Sequence, residues 1–493
     1  MFPLRKTLSS YLCPVASSGT MKKLAPIGSR IAFALTVFLV LAAAILTRPP
    51  KPLDEFDQPF YLTVAYDLIH HGVFSNGFVS LGNTAGAMPS PGMFFGPLYP
   101  SLIAGVTEID ARFAKTVDCR AETYRAKRSA AGCDVYVRPI FLIHALLLTL
   151  GVVAVARAAE CLFADRGIFY LTGVVATGAL LADANQFSFL MTESMTFSLY
   201  ALAMLAMVLG WTTSKSRYFV VAGFGFGVLC LARFSFLAAA LVMPAMIAIN
   251  SRFVVRPHRG WAAVGVLGFV LAFLAVIVPW ATRNAISVGK FALTEEYGSV
   301  TLVERFAYDQ MTLREFVLAF PYCLPKIGPD IVGHTFGSDT MARFQYDLPN
   351  SFYAIGVAHR DALTEQFTRI DPIIGEVVRN EMKDNWLRYI LVSIPLAWCG
   401  MWVGGWLGLV IVPVFAVACV AAHRRSKPLL LLYVTPALVM LGLHAALASF
   451  YTRYNLALIG PFSAAAAWVI ALIVTRWRYS TAVAPRRQLA GPS

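Results

Sequence analysis

The chain has 493 residues, 58% of them hydrophobic and only 14% charged, with a mean hydropathy of +0.65. A soluble protein of this size carries about a quarter charged residues, so a soluble enzyme is excluded, and apolar runs that are continuous rather than alternating exclude a transmembrane β-barrel. The net charge of +14 is what basic cytoplasmic loops give a multispan protein, and no nucleic-acid partner is expected.

Residues 1–30 hold Arg5, Lys6, Lys22, Lys23 and Arg30 and no acid, which places them in the cytoplasm. Met21-Lys22-Lys23 looks like a natural start, so residues 1–20 are expected to be dispensable. The apolar run 31–47 continues into Thr47-Arg48-Pro49-Pro50 without a small-x-small cleavage site, so it reads as a first span and not as a signal peptide. Spanning helices need about 20 mostly apolar residues, and that rule gives an all-α polytopic fold of about ten transmembrane helices. After the first come an outer loop at 48–137, spans 2–7 within 138–281, a second long outer loop at 282–403, spans 8–10 within 404–475, and a basic tail at 476–493. The 34 residues between Arg217 and the cluster Arg252, Arg256, Arg259 suit a hairpin of two short spans turning near Arg233. Both termini then lie in the cytoplasm, every short cytoplasmic loop is basic, and acids gather in the outer loops. The stretch 386–404 is apolar enough to span. Counting it would put the basic residues 423–427 outside, so it reads as a helix along, or re-entering, the outer surface.

The first outer loop opens with Asp54, Glu55 and Asp57. An amphipathic stretch at 59–71 follows, with Phe60, Val64, Leu68 and His71 at helical spacing, as expected of a helix lying in the membrane interface. Beyond the turn Pro89-Ser-Pro91-Gly92 comes a second short amphipathic piece from Phe94, and then a charged insert at 108–137. Cys119 and Cys133 in that insert would face an oxidising compartment and are expected to bridge, which leaves Cys323 of the second loop unpaired. The region after span 7 looks loop-like. The sequence shows no internal repeat, no CxxC and no HExxH.

Ionisable groups at or within spans are costly and tend to mark function. Glu193, Arg233, Arg283 and Arg453 all fall at outer ends of spans, on the face that also holds Asp57. Taken singly, an Arg at a span end is more often a snorkelling anchor, and Glu193 suits a helix N-terminus. Five segments that each bring a charge to one face point instead to a site. Guanidinium groups clamp phosphate, and a carboxylate opposite them could take a proton from an attacking hydroxyl. Alternatively, Asp57 and Glu193 could share a divalent cation.

At these residues the chain resembles the GT-C superfamily of polyprenyl-phosphate-dependent glycosyltransferases. It looks most like bacterial relatives of the lipid A aminoarabinose transferase and the protein O-mannosyltransferases. Asp57-Gln-Pro-Phe-Tyr61 with Gly72 is similar to the family's first-loop Asp segment, and Gly96-Pro97-Leu98-Tyr99-Pro100 to its Pro-Pro-Leu-Tyr-Pro turn. Thr192-Glu193-Ser194 falls where the family has its second acid, and Leu231-Ala-Arg233 resembles its Leu-Thr-Arg turn. Pro279-Trp280-Ala-Thr-Arg283-Asn284 and Arg453-Tyr454 resemble two later motifs. There are departures. Gly96 stands where the aminoarabinose branch has a phosphate-holding Lys, Gln58 replaces a common Glu, and the 108–137 insert is outside the pattern.

The resemblance implies an inverting transfer from a polyprenyl-monophosphate sugar at the periplasmic face of a bacterial inner membrane. The acceptor would be an envelope glycan, glycolipid or protein. In this reading Asp57 and Glu193 are catalytic, and Arg233, Arg283 and Arg453 bind the donor phosphate. Tyr61, Tyr99, Trp280, Asn284 and Tyr454 contact substrate, and the loop 285–310 closes over the site. The alternative is a transporter or flippase of a lipid-linked sugar, for which midplane charges and internal repeats would be expected.

Overall fold

The computed structural model describes residues 27–77, 88–126, 132–253, 260–295, 297–346, 348–366, 371–448 and 451–483. Expectations placed on residues 1–26, on Arg256 and Arg259, and on 484–493 lie outside the described residues. The described chain is helical, with a single isolated bridge between Ser75 and Pro91. Helix α1 (Ile27–Leu46) is followed by α2 (Gln58–His71), α3 (Leu98–Thr107) and α4 (Ala111–Arg125) in the first loop. The bundle continues with α5 (Arg138–Phe163), α6 (Arg166–Ala182), α7 (Glu193–Thr213), α8 (Arg217–Ala232), α9 (Leu237–Phe253) and α10 (Trp261–Val288). Among the described residues seven helices are long and apolar enough to cross a membrane, and the shorter apolar helices 166–182, 217–232 and 234–250 complete the ten expected stretches.

Helix α10 leaves Val264, Leu267, Leu271 and Val278 exposed, and α1 leaves Leu35 and Leu39 exposed. Lipid, not water, suits such a surface. Where helices meet inside, small residues let backbones close up. A methyl group on Gly223 would collide with the Phe269 carbonyl, so α8 and α10 touch main chain to main chain there.

The second long loop is not loop-like. It folds into α11 (Tyr297–Phe306), α12 (Leu313–Tyr322), α13 (Gly328–Phe336), α14 (Ser338–Ala342), α15 (Phe352–Gln366) and α16 (Asp371–Met401). These helices enclose a small core of their own from Tyr308, Met311, Phe344, Phe352, Val392 and Leu396. Cys323 is not unpaired: it bridges to Cys399 of α16. The two cysteines lie 76 residues apart, and nothing in the sequence pairs them. Within 386–404, Tyr389 is bonded to the Ala446 carbonyl and Gly404 N–H donates to Asp183 at 3.2 Å. The bundle closes with α17 (Gly408–Arg424), α18 (Pro428–Leu447) and α19 (Ile459–Val483).

The expected Cys119–Cys133 bridge is present. It fastens α4, which packs on α2 and changes that helix's surroundings. Tyr61, Leu62, Val64, Ala65 and even Asp67 are buried, so α2 is enclosed on more than one side. The buried Asp67 carboxylate is met by Arg125 of α4 and by the Ser75 hydroxyl at 2.5 Å.

Candidate active site

The spans deliver their charged residues to one end of the bundle: Glu193 opens α7, Arg233 follows α8, and Arg453 precedes α19. Asp57 joins them through the first loop. It is the N-cap of α2, yet its side chain makes no capping bond, so the carboxylate is available to the cavity. Phe56 beside it has φ +56°, a left-handed conformation that costs a non-glycine residue energy and is found at sites the surroundings over-determine. Gln58 supplies that determination. It is fully buried, donates to the carbonyls of Pro52 at 2.8 Å and Glu55 at 3.1 Å, and accepts from Leu190 N–H at 2.8 Å. This one amide ties the Asp57 turn to the segment leading into Glu193, and it does so at the position where the common Glu is absent.

A cavity of about 400 Å³ opens between these pieces. Asp57, Tyr61, Glu193, Arg233, His444 and Tyr454 are its polar wall, and Phe94, Phe95, Leu237, Leu293, Leu443 and Leu447 are among its apolar lining. Arg233 Nη1 lies 3.8 Å from Glu193 Oε1, and its guanidinium sits 4.6 Å from the Tyr454 ring centre. Glu193 is 3% exposed and its Oε2 has no hydrogen-bond partner. A second cavity, about 160 Å³, shares Met191 and Glu193 with the first and is lined by Phe56, Phe189, Tyr451 and Arg453. The Arg453 guanidinium stands 4.6 Å from the ring centre of Phe56, 5.2 Å from that of Tyr451 and 5.3 Å from that of Tyr454. Burial pushes the Asp57 carboxyl above its ordinary range, and the positive charges of Arg453 and Arg233 partly oppose that rise. Burial, with the nearby Asp57 and Glu193 charges, drives the Tyr61 hydroxyl well above 10, so it stays a proton donor. Among the described residues no three His, Cys, Asp or Glu side chains gather as metal ligands.

The remaining expected residues are placed elsewhere. Arg283 does not line the cavity. It donates to the carbonyl of Gly92 at 2.5 Å and that of Phe74 at 2.7 Å, between the Phe74 and Trp280 rings. Trp280 Nε1 donates to the Leu293 carbonyl at 2.9 Å, and Asn284 Nδ2 to that of Ala292 at 2.8 Å. The Trp-x-x-Arg-Asn run thus holds backbone on both sides of itself: the first-loop turn on one, and the strap 289–295 on the other. That strap places Leu293 and Thr294 in the cavity wall, where Thr294 also donates to the Phe94 carbonyl at 2.9 Å. Tyr99 is fully buried beneath Tyr61, with its hydroxyl 3.0 Å from His144 Nε2. Gly96 has a physical reason. A Cβ there would collide with the Leu231 carbonyl, so no lysine fits at this position. Sequence reasoning missed Gln58 and His444. An ionisable residue in the last turn of a span was the available signal for the second.

No protein-family model and no curated protein matches the sequence. Among solved structures the chain is similar to ArnT from Cupriavidus metallidurans, crystallised bound to undecaprenyl phosphate. The identity is 15%, the match covers 89% of this chain and 78% of that one, and the TM-score is 0.36.

Proposed function

We propose that this protein is an integral-membrane inverting glycosyltransferase that moves a sugar from a polyprenyl-monophosphate donor to an envelope acceptor. One observation carries the reading. A cavity with apolar flanks holds two carboxylates and a guanidinium at one end of a helical bundle, with a second guanidinium immediately behind the shared wall. The apolar flanks suit a lipid tail, the guanidiniums a phosphate, and a carboxylate with a raised pKa suits a general base.

In the proposed reaction an acceptor hydroxyl oxygen bonds to the anomeric carbon as the bond from that carbon to the phosphate oxygen breaks. The electron pair leaves with the lipid phosphate, and the hydroxyl proton passes to Asp57. Arg233 and Arg453 meet the charge that grows on the phosphate. Glu193 holds Arg233 in place, and Tyr61, kept protonated, donates to a substrate oxygen. Asp57 and Glu193 are the pair that would hold a divalent cation, but the proposal assigns the phosphate to the guanidiniums. Arg283, Trp280 and Asn284 act on the site through the backbone they hold.

The test compares envelope glycolipids and glycans by mass spectrometry in cells with the wild-type, deleted and Asp57→Asn protein. Loss of one hexose- or pentose-sized mass in both altered strains, with Asp57→Asn protein still in the membrane, is the expected result. A product lost on deletion but retained with Asp57→Asn would sink the role of Asp57 and favour movement of a lipid-linked sugar over its transfer.

A further inference from the structure

His444 lines the cavity but has no part in the reaction above. It lies in the last turn of α18 and is 6% exposed. Its Nδ1 is 2.9 Å from Asn455 Oδ1. An amide oxygen only accepts, so Nδ1 carries a proton; a buried ring that shares its cavity with the Arg233 guanidinium disfavours a second positive charge, so the imidazole is neutral and Nε2 presents a lone pair. Nε2 is buried without a hydrogen-bond partner. Asn455 can hold the ring because it interrupts the turn 452–458 with φ −107° and ψ 22°. The same turn carries Arg453 and Tyr454, and the His444 ring lies 5.6 Å from the Tyr454 ring, centre to centre. The lone pair therefore sits at the phosphate end of the cavity, beside the ring that Arg233 covers.

A buried acceptor left unmatched is costly, and native structures rarely keep one without a reason. The phosphate of a sugar-phosphate lipid cannot match it, because a phosphodiester offers only acceptors. An ammonium group would be repelled by Arg233. A hydroxyl satisfies both conditions. We propose that His444 Nε2 accepts a hydrogen bond from a hydroxyl of the sugar carried on the lipid phosphate. This inference rests on the transfer reading and deepens it. His444 becomes a specificity-determining residue, and the transferred group is a neutral sugar with a free hydroxyl close to its anomeric carbon. A site built to bond a hydroxyl rejects analogues that lack it far more strongly than an apolar pocket can.

The experiment uses the full chain in lipid nanodiscs. Binding is measured for undecaprenyl phosphate and for undecaprenyl phosphate bearing glucose, mannose, galactose or arabinose, with wild type, His444→Phe and His444→Gln. The expected wild type binds at least one sugar-bearing lipid more tightly than the bare phosphate. In His444→Phe that lipid weakens by about tenfold or more, the scale of one lost hydrogen bond to a buried group. The bare phosphate changes by less than about twofold in the same variant. His444→Gln, whose amide oxygen can accept, recovers part of the loss. An equal fall for both lipids in both variants would place His444 in folding or on the phosphate and overturn the proposal. No change for either lipid, or a wild type that prefers no sugar-bearing lipid over the bare one, would also overturn it. A wild type that binds none of the lipids would instead defeat the transfer reading itself.

Discussion

Arg283 and Arg453 look alike in the sequence: each ends or begins a span, each precedes an aromatic or amide partner, and both map to one face. Both lie against aromatic rings, but the partners of their donors differ. The Arg283 guanidinium is filled by two carbonyl oxygens of the first loop and the Asn284 side chain. The Arg453 guanidinium is ringed by aromatic faces, with its Nη1 3.7 Å from the Met191 sulfur. Carbonyl oxygens use up an arginine's directed donors. Ring faces hold its plane by cation–π attraction, and its Nε is left without a hydrogen-bond partner for a ligand to take. A charge at a membrane face therefore becomes a binding group or a fastener according to what surrounds it.

The sharpest test removes each arginine in turn. Arg453→Ala and Arg233→Ala should lower transfer by about 10²–10³-fold, the cost of one electrostatic donor to a transition state, while thermal unfolding in detergent shifts little. Arg283→Ala should do the reverse. The buried Gly92 carbonyl loses its donor, about 1–3 kcal/mol by the usual penalty, while the Phe74 carbonyl keeps the Gly92 N–H at 2.8 Å, so the unfolding temperature falls and transfer declines only as far as the strap loosens. If Arg283→Ala abolishes turnover in a protein that unfolds at the wild-type temperature, the two settings are not different in kind. Arg283→Lys should recover little of the stability, since one ammonium cannot reach both carbonyls in a fixed plane.

The smallest expected effect is a shift in the pH profile. A base works when ionised, so turnover should fall as pH drops through the Asp57 pKa, which burial places above the ordinary carboxylate range. Arg453 and Arg233 lower that pKa. Arg453→Gln should therefore raise it and move the acid limb to higher pH, whereas Arg283→Ala should leave the limb in place. A limb that moves equally in both variants would mean that Arg283 also reaches the cavity electrostatically.

Much of the architecture was legible in the sequence because span length and loop charge are strong constraints in a bilayer. The ten stretches, and the ends at which Asp57, Glu193, Arg233 and Arg453 sit, follow from them. The cap at 282–403 was not legible. Apart from α16 its helices have 5–15 residues and bury a small shared core, so no single window there carries a strong period. Contacts made by backbone were also invisible. Nothing in the sequence announces that Leu231 crowds Gly96, or that Trp280 and Asn284 hold carbonyls at 292–293. A buried glutamine such as Gln58 reads as an ordinary loop residue until both ends of its amide are traced.

The bridge from Cys323 to Cys399 has a consequence for how the protein is made. It joins residues 76 apart in sequence, against 14 for Cys119–Cys133. In the chain-entropy description closing the larger loop restrains the unfolded chain by about 4.5 kcal/mol, and the smaller by about 3. Cys399 is among the last residues of α16 to emerge, so the larger bridge cannot form until nearly the whole cap has been synthesised. Maturation of the cap therefore depends on a thiol oxidant acting late, and a cell that lacks one should accumulate an inserted bundle whose cap is readily cut by protease.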